Sequence, residues 1–440
     1  MKKTLLLLLA LFTVHAQARK PNIVFMLVDD MGYADLSCYD APDVKTPNID
    51  RLGAEGVRFT QLYATGPECT PSRTGFLTGR YPQRVGGLEC AIGTGNVGRY
   101  DDAIRLAEKN DLGLPSAKAT LAPALKKAGY INGVFGKWHL GYEEKFNPLN
   151  QGFDEFIGFL GGNVEYFRHR ELSDLEVYLK GTKPIQREGY MTHLINDDSI
   201  DFIQRNKKQP FFLYVAYSVP HFPFQGPDDD TGEMFPTETW TKGPRSKYVE
   251  MLVDMDHGVG KILEALKENN LVENTIVVFA SDHGGMRPGI NTPFRDFKGT
   301  LFEGGIRVPC VVRWPGRIKA GTVSDQPGTL MDLTASFLNL AGYEGPLDGI
   351  DLLEHVAAGK PDFPRTIFWR SKRGDRTWWA VRRHDQKYVR KQEGSSTEEW
   401  LFDLKADPSE KTDLGSAHPK KLNRLKSMLA AWENQVKANR

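Results

Sequence analysis

Ile23-Val24-Phe25-Met26-Leu27-Val28-Asp29-Asp30 is an apolar run that breaks directly into two carboxylates. A short continuous run of this kind reads as a strand buried on both faces. The same arrangement recurs three times further along. The strand-like Tyr130 to Phe135 leads into Gly136-Lys137-Trp138-His139, and Phe211 to Tyr217 leads into Ser218-Val219-Pro220-His221. Thr275 to Ala280 leads into Ser281-Asp282-His283-Gly284-Gly285. Helical patterns lie between these runs. Thr46-Pro47 suits a helix start, with Thr46 as N-cap and Pro47 at the first helical position. Leu121, Ala124, Leu125 and Ala128 share one helical face, and Gly129 suits the stop. Leu194, Ile195, Ile200 and Ile203 suggest a second helix. The series Val249, Leu252, Val253, Val259, Ile262, Leu263 and Leu266 predicts a third. Helix followed by apolar strand, repeated, implies an α/β fold with a largely parallel sheet covered on both faces.

The character changes after about residue 360. Thr366 to Arg370, Trp378 to Arg382 and Lys387 to Lys391 read as short strands with polar loops. A last helix from about Pro419 carries Leu422, Leu425, Leu429 and Trp432. The chain thus divides into a large α/β domain over 19–360 and a small C-terminal α+β domain over 361–440, an antiparallel sheet plus one helix. Residues 1–18 stand apart. Lys2 and Lys3, the apolar Leu5 to Phe12 and Ala16-Gln17-Ala18 have the order of a secretory signal peptide, too short to span a bilayer. A soluble periplasmic or secreted protein is expected, with no membrane partner. The formal net charge of +1 gives no global field to attract a nucleic acid, so any anionic ligand must be drawn by a local site. Cys38, Cys69, Cys90 and Cys310 are too few for a disulfide scaffold in 440 residues, although export permits a pair.

In open α/β sheets ligands bind beyond the carboxyl ends of the strands. Four polar clusters at that position imply one shared site. Asp29, Asp30 and Asp282 would repel one another unless a cation sat among them, and hard oxygen donors favour Ca²⁺ or Mg²⁺ over zinc. His283 is a softer ligand and blurs that preference.

Cys69-Thr70-Pro71-Ser72-Arg73, continuing to Leu77-Thr78-Gly79-Arg80, resembles the C-x-P-S-R-x-x-x-L-T-G signature of type I sulfatases. Other segments agree in order: Pro21-Asn22-Ile23, Thr46 to Asp50, Gly136 to Gly141, Ser281 to Gly284, and Lys298-Gly299 through Glu303 to Pro309. Leu401 to Leu404 with Asp407-Pro408 and Glu410 is similar to that family's C-terminal region. The resemblance implies an alkaline-phosphatase-like fold, with a large mixed, mostly parallel sheet, and hydrolysis of sulfate esters. In such enzymes a formylglycine-generating enzyme oxidises the motif cysteine, here Cys69. One hydroxyl of the hydrated aldehyde attacks sulfur and displaces the alcohol, and loss of the other hydroxyl's proton then re-forms the aldehyde and expels sulfate. By matching positions, Asp29, Asp30, Asp282 and His283 bind the metal with the modified Cys69. Asn is commoner than His at the position of His283, which leaves Ca²⁺ against Mg²⁺ open. Arg73 and Lys137 stabilise the nucleophile, and Lys137, His221 and Lys298 contact the substrate. His139 acts as base and His221 as acid.

Export suits a sulfated carbohydrate as substrate. Residues outside the motifs that could line such a site are Arg168, His169, Arg170, Arg287, Arg295, Trp369, Arg370, Lys372 and Arg373. Two rival readings stay open. A phosphomonoester or phosphodiester hydrolase would carry more metal-ligating histidines. A catalytically silent glycan-binding protein would have lost part of the motif set.

Overall fold

The computed structural model describes residues 20–93, 98–118, 120–172 and 177–437. The expected signal peptide lies outside them. In chain order the strands are β1 (Asn22–Val28), β2 (Val57–Tyr63), β3 (Ile131–Lys137), β4 (Glu155–Phe159), β5 (Leu179–Lys180), β6 (Lys183–Pro184), β7 (Phe211–Ala216), β8 (Thr275–Ser281), β9 (Arg307–Arg313), β10 (Thr322–Ser324), β11 (Gly328–Thr329), β12 (Thr366–Arg373), β13 (Arg376–Arg383), β14 (Gln386–Glu393) and β15 (Ser396–Asp403). The helices are α1 (Pro47–Ala54), α2 (Cys69–Thr78), α3 (Asp101–Glu108), α4 (Leu121–Lys127), α5 (Met191–Asn206), α6 (Arg245–Glu268), α7 (Glu303–Ile306), α8 (Leu330–Leu340), α9 (Leu352–Ala357) and α10 (Pro419–Gln435). No described helix is long and apolar enough to cross a membrane.

The principal sheet runs β10-β2-β9-β8-β1-β7-β3-β4-β5-β6, with β11 beside β2. Its centre is the expected one. β8, β1, β7 and β3 are consecutive neighbours and all parallel, so the four polar clusters emerge side by side at one edge. β1 is buried throughout because alternate side chains feed two cores. Ile23, Phe25 and Leu27 meet α2, α4 and α8 residues such as Phe76, Leu125 and Phe337, whereas Val24, Met26 and Val28 share a core with residues of α1, α5 and α6. The Phe25 and Phe76 rings stack with centroids 4.0 Å apart, which ties α2 to the central strand. The mixed character comes from β9, antiparallel to both β8 and β2. Pro309 lies inside β9, where a missing N–H is normally excluded. It falls opposite an irregularity in β2 between Phe59 and Leu62, where the ladder is already interrupted.

β12 to β15 form a separate antiparallel meander. Its faces alternate with period two. Ile367, Trp369, Trp378, Ala380, Val389 and Phe402 pack on Tyr63, Leu301, Phe302 and Ile306 of the main body. Val381, Tyr388 and Leu401 instead meet Leu425, Leu429 and Trp432 of α10. β15 is a fourth strand beyond the three predicted from sequence. A buried ionic cluster reinforces the seam. Lys387 of β14 is fully buried and reaches Glu303 at 2.8 Å and Glu410 at 2.9 Å, while Arg382 of β13 bonds the Tyr63 hydroxyl. Burial pushes Glu303 up, but Lys387, Arg307 and Arg382 outweigh it and hold the carboxyl at about 2. Lys387→Met would leave the buried Glu410 without its cation and Glu303 with only Arg307 as ion-pair partner, so it should destabilise the protein by roughly 3–5 kcal/mol, measured by denaturant unfolding.

Candidate active site

α2 begins at Cys69, with Glu68 in extended conformation as its N-cap residue. The Cys69 thiol therefore sits at the positive end of a helix dipole, a place that favours an anion. All ten residues of α2 are buried although half of them are polar or charged. Each polar group has a partner. Thr70 Oγ1 donates to the His139 carbonyl at 3.0 Å, Ser72 Oγ bonds the Asp282 carbonyl, and Thr74 and Thr78 donate back to carbonyls one turn earlier. Arg73 is fully buried and donates to the Lys137 carbonyl at 3.0 Å, the Tyr214 hydroxyl at 3.2 Å and the Asp282 carboxylate at 3.2 Å. The helix is thus bolted to the ends of β8, β3 and β7.

Around the thiol the strand ends converge. Cys69 Sγ lies 3.2 Å from Asp29 Oδ1, 3.3 Å from His283 Nε2 and 3.4 Å from Lys137 Nζ, with Lys298 Nζ at 3.9 Å. Lys137 also pairs with Asp29, and Lys298 with Asp30 at 2.6 Å. Asp29, Asp30, Cys69 and His283 each offer one ligand atom within 4.8 Å of the others, the spacing of a metal centre. Asp282 faces both sides of this set, with Oδ1 3.4 Å from His283 Nε2 and Oδ2 3.2 Å from Arg73. The donor set fits a cation. Asp30 Oδ2 is buried without a hydrogen bond, and His283 Nδ1–H donates to the Gly284 carbonyl, which leaves Nε2 to coordinate.

Electrostatics reflects the crowding. Burial pushes Asp29 up, yet Lys137, His221, Arg73 and Lys298 together hold it well below the usual carboxylate range. Asp282 goes the other way, raised to about 8, because burial and the charges of Asp29 and Cys69 outweigh His283 and Arg73. Burial pushes the Cys69 thiol up, as does Asp29, but Lys137, Lys298 and His283 bring it below its ordinary value.

The two remaining histidines are neutral and oriented. His139 Nε2 is 2.6 Å from the Ile92 carbonyl, which can only accept, so Nε2 carries the proton. Nδ1 is left buried with a free lone pair. Burial, with Lys137 adding to it, holds this imidazole well below its usual value. His221 Nδ1–H donates to the Phe222 carbonyl at 2.8 Å, and Nε2 points at Asp30 Oδ2, 3.7 Å away. Burial drives His221 down to about 3 against the pull of Asp30.

A cavity of about 410 Å³ opens above Cys69 and is lined in part by His139, His221 and Lys298. All the site residues expected from sequence therefore meet at one place. Of the suggested outer residues, all but one lie elsewhere. Trp369 is fully buried and donates from Nε1 to the Ala64 carbonyl, so it is an interface core residue and not a sugar platform. Arg370 is engaged by Glu89 and Glu433. Arg295 lies over the Phe302 ring at 3.8 Å and donates to the Glu410 carbonyl. Lys372 lies over Tyr100, and Arg287 is exposed near Phe297. Arg168, His169 and Arg170 line a different cavity. Only Arg373 reaches the one above Cys69, paired with Glu68 at 2.7 Å. Tyr214 accepts from Arg73, and Tyr142, Asn163 and Glu171 line the cavity; none carries a motif that would mark it.

Gly136 sets the approach of Lys137. Its φ is +109°, and a Cβ there would overlap the Ala216 carbonyl of β7. Gly136→Ala should therefore cost more than about 2 kcal/mol by denaturant unfolding.

A family model described as sulfatase matches residues 21–343, and one described as N-sulphoglucosamine sulphohydrolase, C-terminal, matches residues 294–435. The N-acetylgalactosamine-6-sulfatase of Mus musculus is 36% identical over 392 residues, covering 84% of this chain and 72% of its own length. Arylsulfatase A of Homo sapiens is 34% identical over 378 residues, covering 79% and 69%. Among solved structures, Ps i-CgsB in complex with k-i-k-neocarrahexaose superposes with a TM-score of 0.81 at 31% identity, covering 94% of this chain and 93% of the other.

Proposed function

The chain belongs to the sulfatase family and is a sulfuric ester hydrolase, and from that premise we propose that it removes sulfate from sulfated carbohydrates outside the cytoplasm, in the periplasm or as a secreted protein. In this reading Cys69 is oxidised to formylglycine by a formylglycine-generating enzyme, and one divalent cation, Ca²⁺ or Mg²⁺, is held by Asp29, Asp30, Asp282, His283 and residue 69. The observation that carries it is the meeting of a cysteine at a helix N-terminus with three buried carboxylates and the cations of Arg73, Lys137 and Lys298. Export rests on the composition of residues 1–18. The substrate class rests on the relatives, one named for N-acetylgalactosamine and one seen with a carrageenan oligosaccharide. Residues 19–360 then form the catalytic unit, and 361–440 a smaller unit that lends Arg373 to the rim.

The aldehyde hydrate supplies a nucleophilic hydroxyl and a second one for release, and the dication, when bound, supplies Lewis-acid polarisation. The chain's own groups do the rest. Arg73 is fixed by three partners and cannot follow the substrate, so it acts as a preorganised charge beside residue 69. Lys137 from the end of β3 and Lys298 from the loop before α7 both approach residue 69 and oppose the negative charge of the sulfate. His139, with Nδ1 free and its proton held by Ile92, is set to take a proton from residue 69. His221 presents Nε2 toward Asp30, and an incoming anion would raise its affinity for a proton to deliver to the leaving oxygen.

Protein whose Cys69 oxidation has been verified by mass spectrometry should release sulfate from N-acetylgalactosamine 6-sulfate, carrageenan oligosaccharides or 4-nitrophenyl sulfate. Cys69→Ala should lower that rate by at least about 10³-fold. Full activity in that variant would reject residue 69 as nucleophile. Adding Ca²⁺ to chelator-treated protein should raise its unfolding temperature by a few degrees, because a ligand bound only by the folded state stabilises it. Asp30→Asn should abolish the increase.

A further inference from the structure

The cavity above Cys69 is lined by unlike groups. Lys298 and Arg373 bring positive charge to it. The loop that follows β4 brings Gly162, Asn163, Glu171 and Leu172 to the same opening alongside Tyr142. Glu171 is only 7% exposed, and among the described residues no hydrogen bond or ion pair reaches its carboxylate. A buried carboxylate is normally paired, because losing water without gaining a partner is costly. Here nothing offsets burial, which pushes Glu171 up to about 7.

The loop is built to hold this group in place. Glu165 closes it by accepting from Phe167 N and Arg168 N, with Gln225 Nε2 donating to its other oxygen at 2.6 Å. Tyr166 ties the loop to the His221 carbonyl at 2.9 Å. The lack of a side chain at Gly161 leaves a notch, since a Cβ there would overlap Glu171 Oε1. The charged and titratable groups around the cavity do not neutralise it. Lys298 is taken by Asp30 and Arg373 by Glu68. His139 and His221 are neutral, and the Tyr142 phenol is raised by burial and then by Glu171 itself. Ile92, Phe222, Met286 and the 48%-exposed Leu172 add apolar surface to the same opening.

We propose that Glu171 is a specificity-determining residue: it accepts a hydrogen bond from a hydroxyl or amide N–H on the sugar ring that carries the scissile sulfate, and it rejects a second sulfate at that position. The proposal rests on the carbohydrate reading above. A site that offers a buried acceptor discriminates strongly, because the wrong ligand leaves that group unpaired or facing a like charge.

The test uses 4-nitrophenyl sulfate as reporter of the chemical step. N-acetylgalactosamine 6-sulfate and its 3,6- and 4,6-disulfates serve as competing inhibitors. For wild type, at least one disulfate should bind about tenfold or more weakly than the monosulfate. Glu171→Gln should bring that ratio to within about twofold while kcat for the aryl sulfate stays within about twofold of wild type. Sulfate esters remain ionised throughout, so the ratio itself should grow in wild type as pH rises through about 7, where Glu171 becomes charged, and stay flat in Glu171→Gln. A ratio unchanged by the substitution, competition by none of the sugars, or loss of kcat on the aryl sulfate would each overturn the assignment. Wild type with formylglycine that releases no sulfate from the aryl ester or any sugar defeats the underlying carbohydrate reading instead, and this assignment falls with it.

Discussion

Asp29, Asp30 and Asp282 cannot be gathered in a dry cleft unless positive charge is gathered with them. Two carboxylates about 4 Å apart repel by roughly 4 kcal/mol at an effective dielectric of 20. Several such contacts would rival the whole stability of a domain, about 5–15 kcal/mol. Much of the architecture follows from that constraint. Arg73 comes from α2, Lys137 from the end of β3 and Lys298 from the loop before α7, and each reaches a different carboxylate. No single element could supply all three. Only neighbouring parallel strands ending at one edge, with a helix driven into the cleft beside them, bring the charges into register.

The backbone bears part of the cost. Asp30 and His139 both sit at positive φ, 67° and 59°, a region that side chains other than glycine's seldom occupy. Each lies two residues past the end of a strand of the central sheet, where the chain must turn sharply to aim a side chain back over the cleft. Strain of that kind persists where surrounding packing over-determines it, and here Arg73 and Thr70 grip the carbonyls of Lys137 and His139. Groups fixed in this way need not reorganise as charge develops on a substrate, which is the advantage a preorganised site has over water.

What could be read in the sequence follows the same physics. β1, β3, β7 and β8 were legible because burial on both faces demands continuous apolar runs, and the polar residues that end them are the site. β2 and β9 were not read as strands. β2 alternates buried and half-buried positions, and β9 contains Pro309 opposite an irregular stretch of its partner. Nor did periodicity reveal α2, since a helix buried on every side by hydrogen-bonded hydroxyls and one arginine has no apolar stripe. Its residues were legible only as a motif. Trp369 and Arg370 could not be placed from sequence, because an aromatic beside an arginine reads as a sugar platform or as an interface. The alternation Ile367, Trp369 against Phe368 in β12 resolves it, since the two sets face opposite layers. Glu171 had no local signature at all, and its meaning comes only from what surrounds it.

The separation between chemistry and recognition follows from how the rim is anchored. Glu68, the N-cap residue of α2, accepts from Ala91 N at 2.7 Å and from Arg373 of the C-terminal hairpin. Burial pushes this carboxyl up, but its bonds to Arg373 and Ala91 hold it below its ordinary value. The start of α2, the Cys90–Gly93 segment and the tip of β12 are therefore one charged joint. A change at Arg373 would release Glu68 next to Cys69 and disturb the reaction along with binding. The loop carrying Glu171 meets the reacting groups at the Gly162 carbonyl, which accepts from Lys137, and through Tyr166, whose hydroxyl donates to the His221 carbonyl. Glu171 takes part in neither contact, so it can vary with little effect on the charges below. Selectivity is consequently freer to change in the loop after β4 than at the C-terminal hairpin, although both line the same cavity.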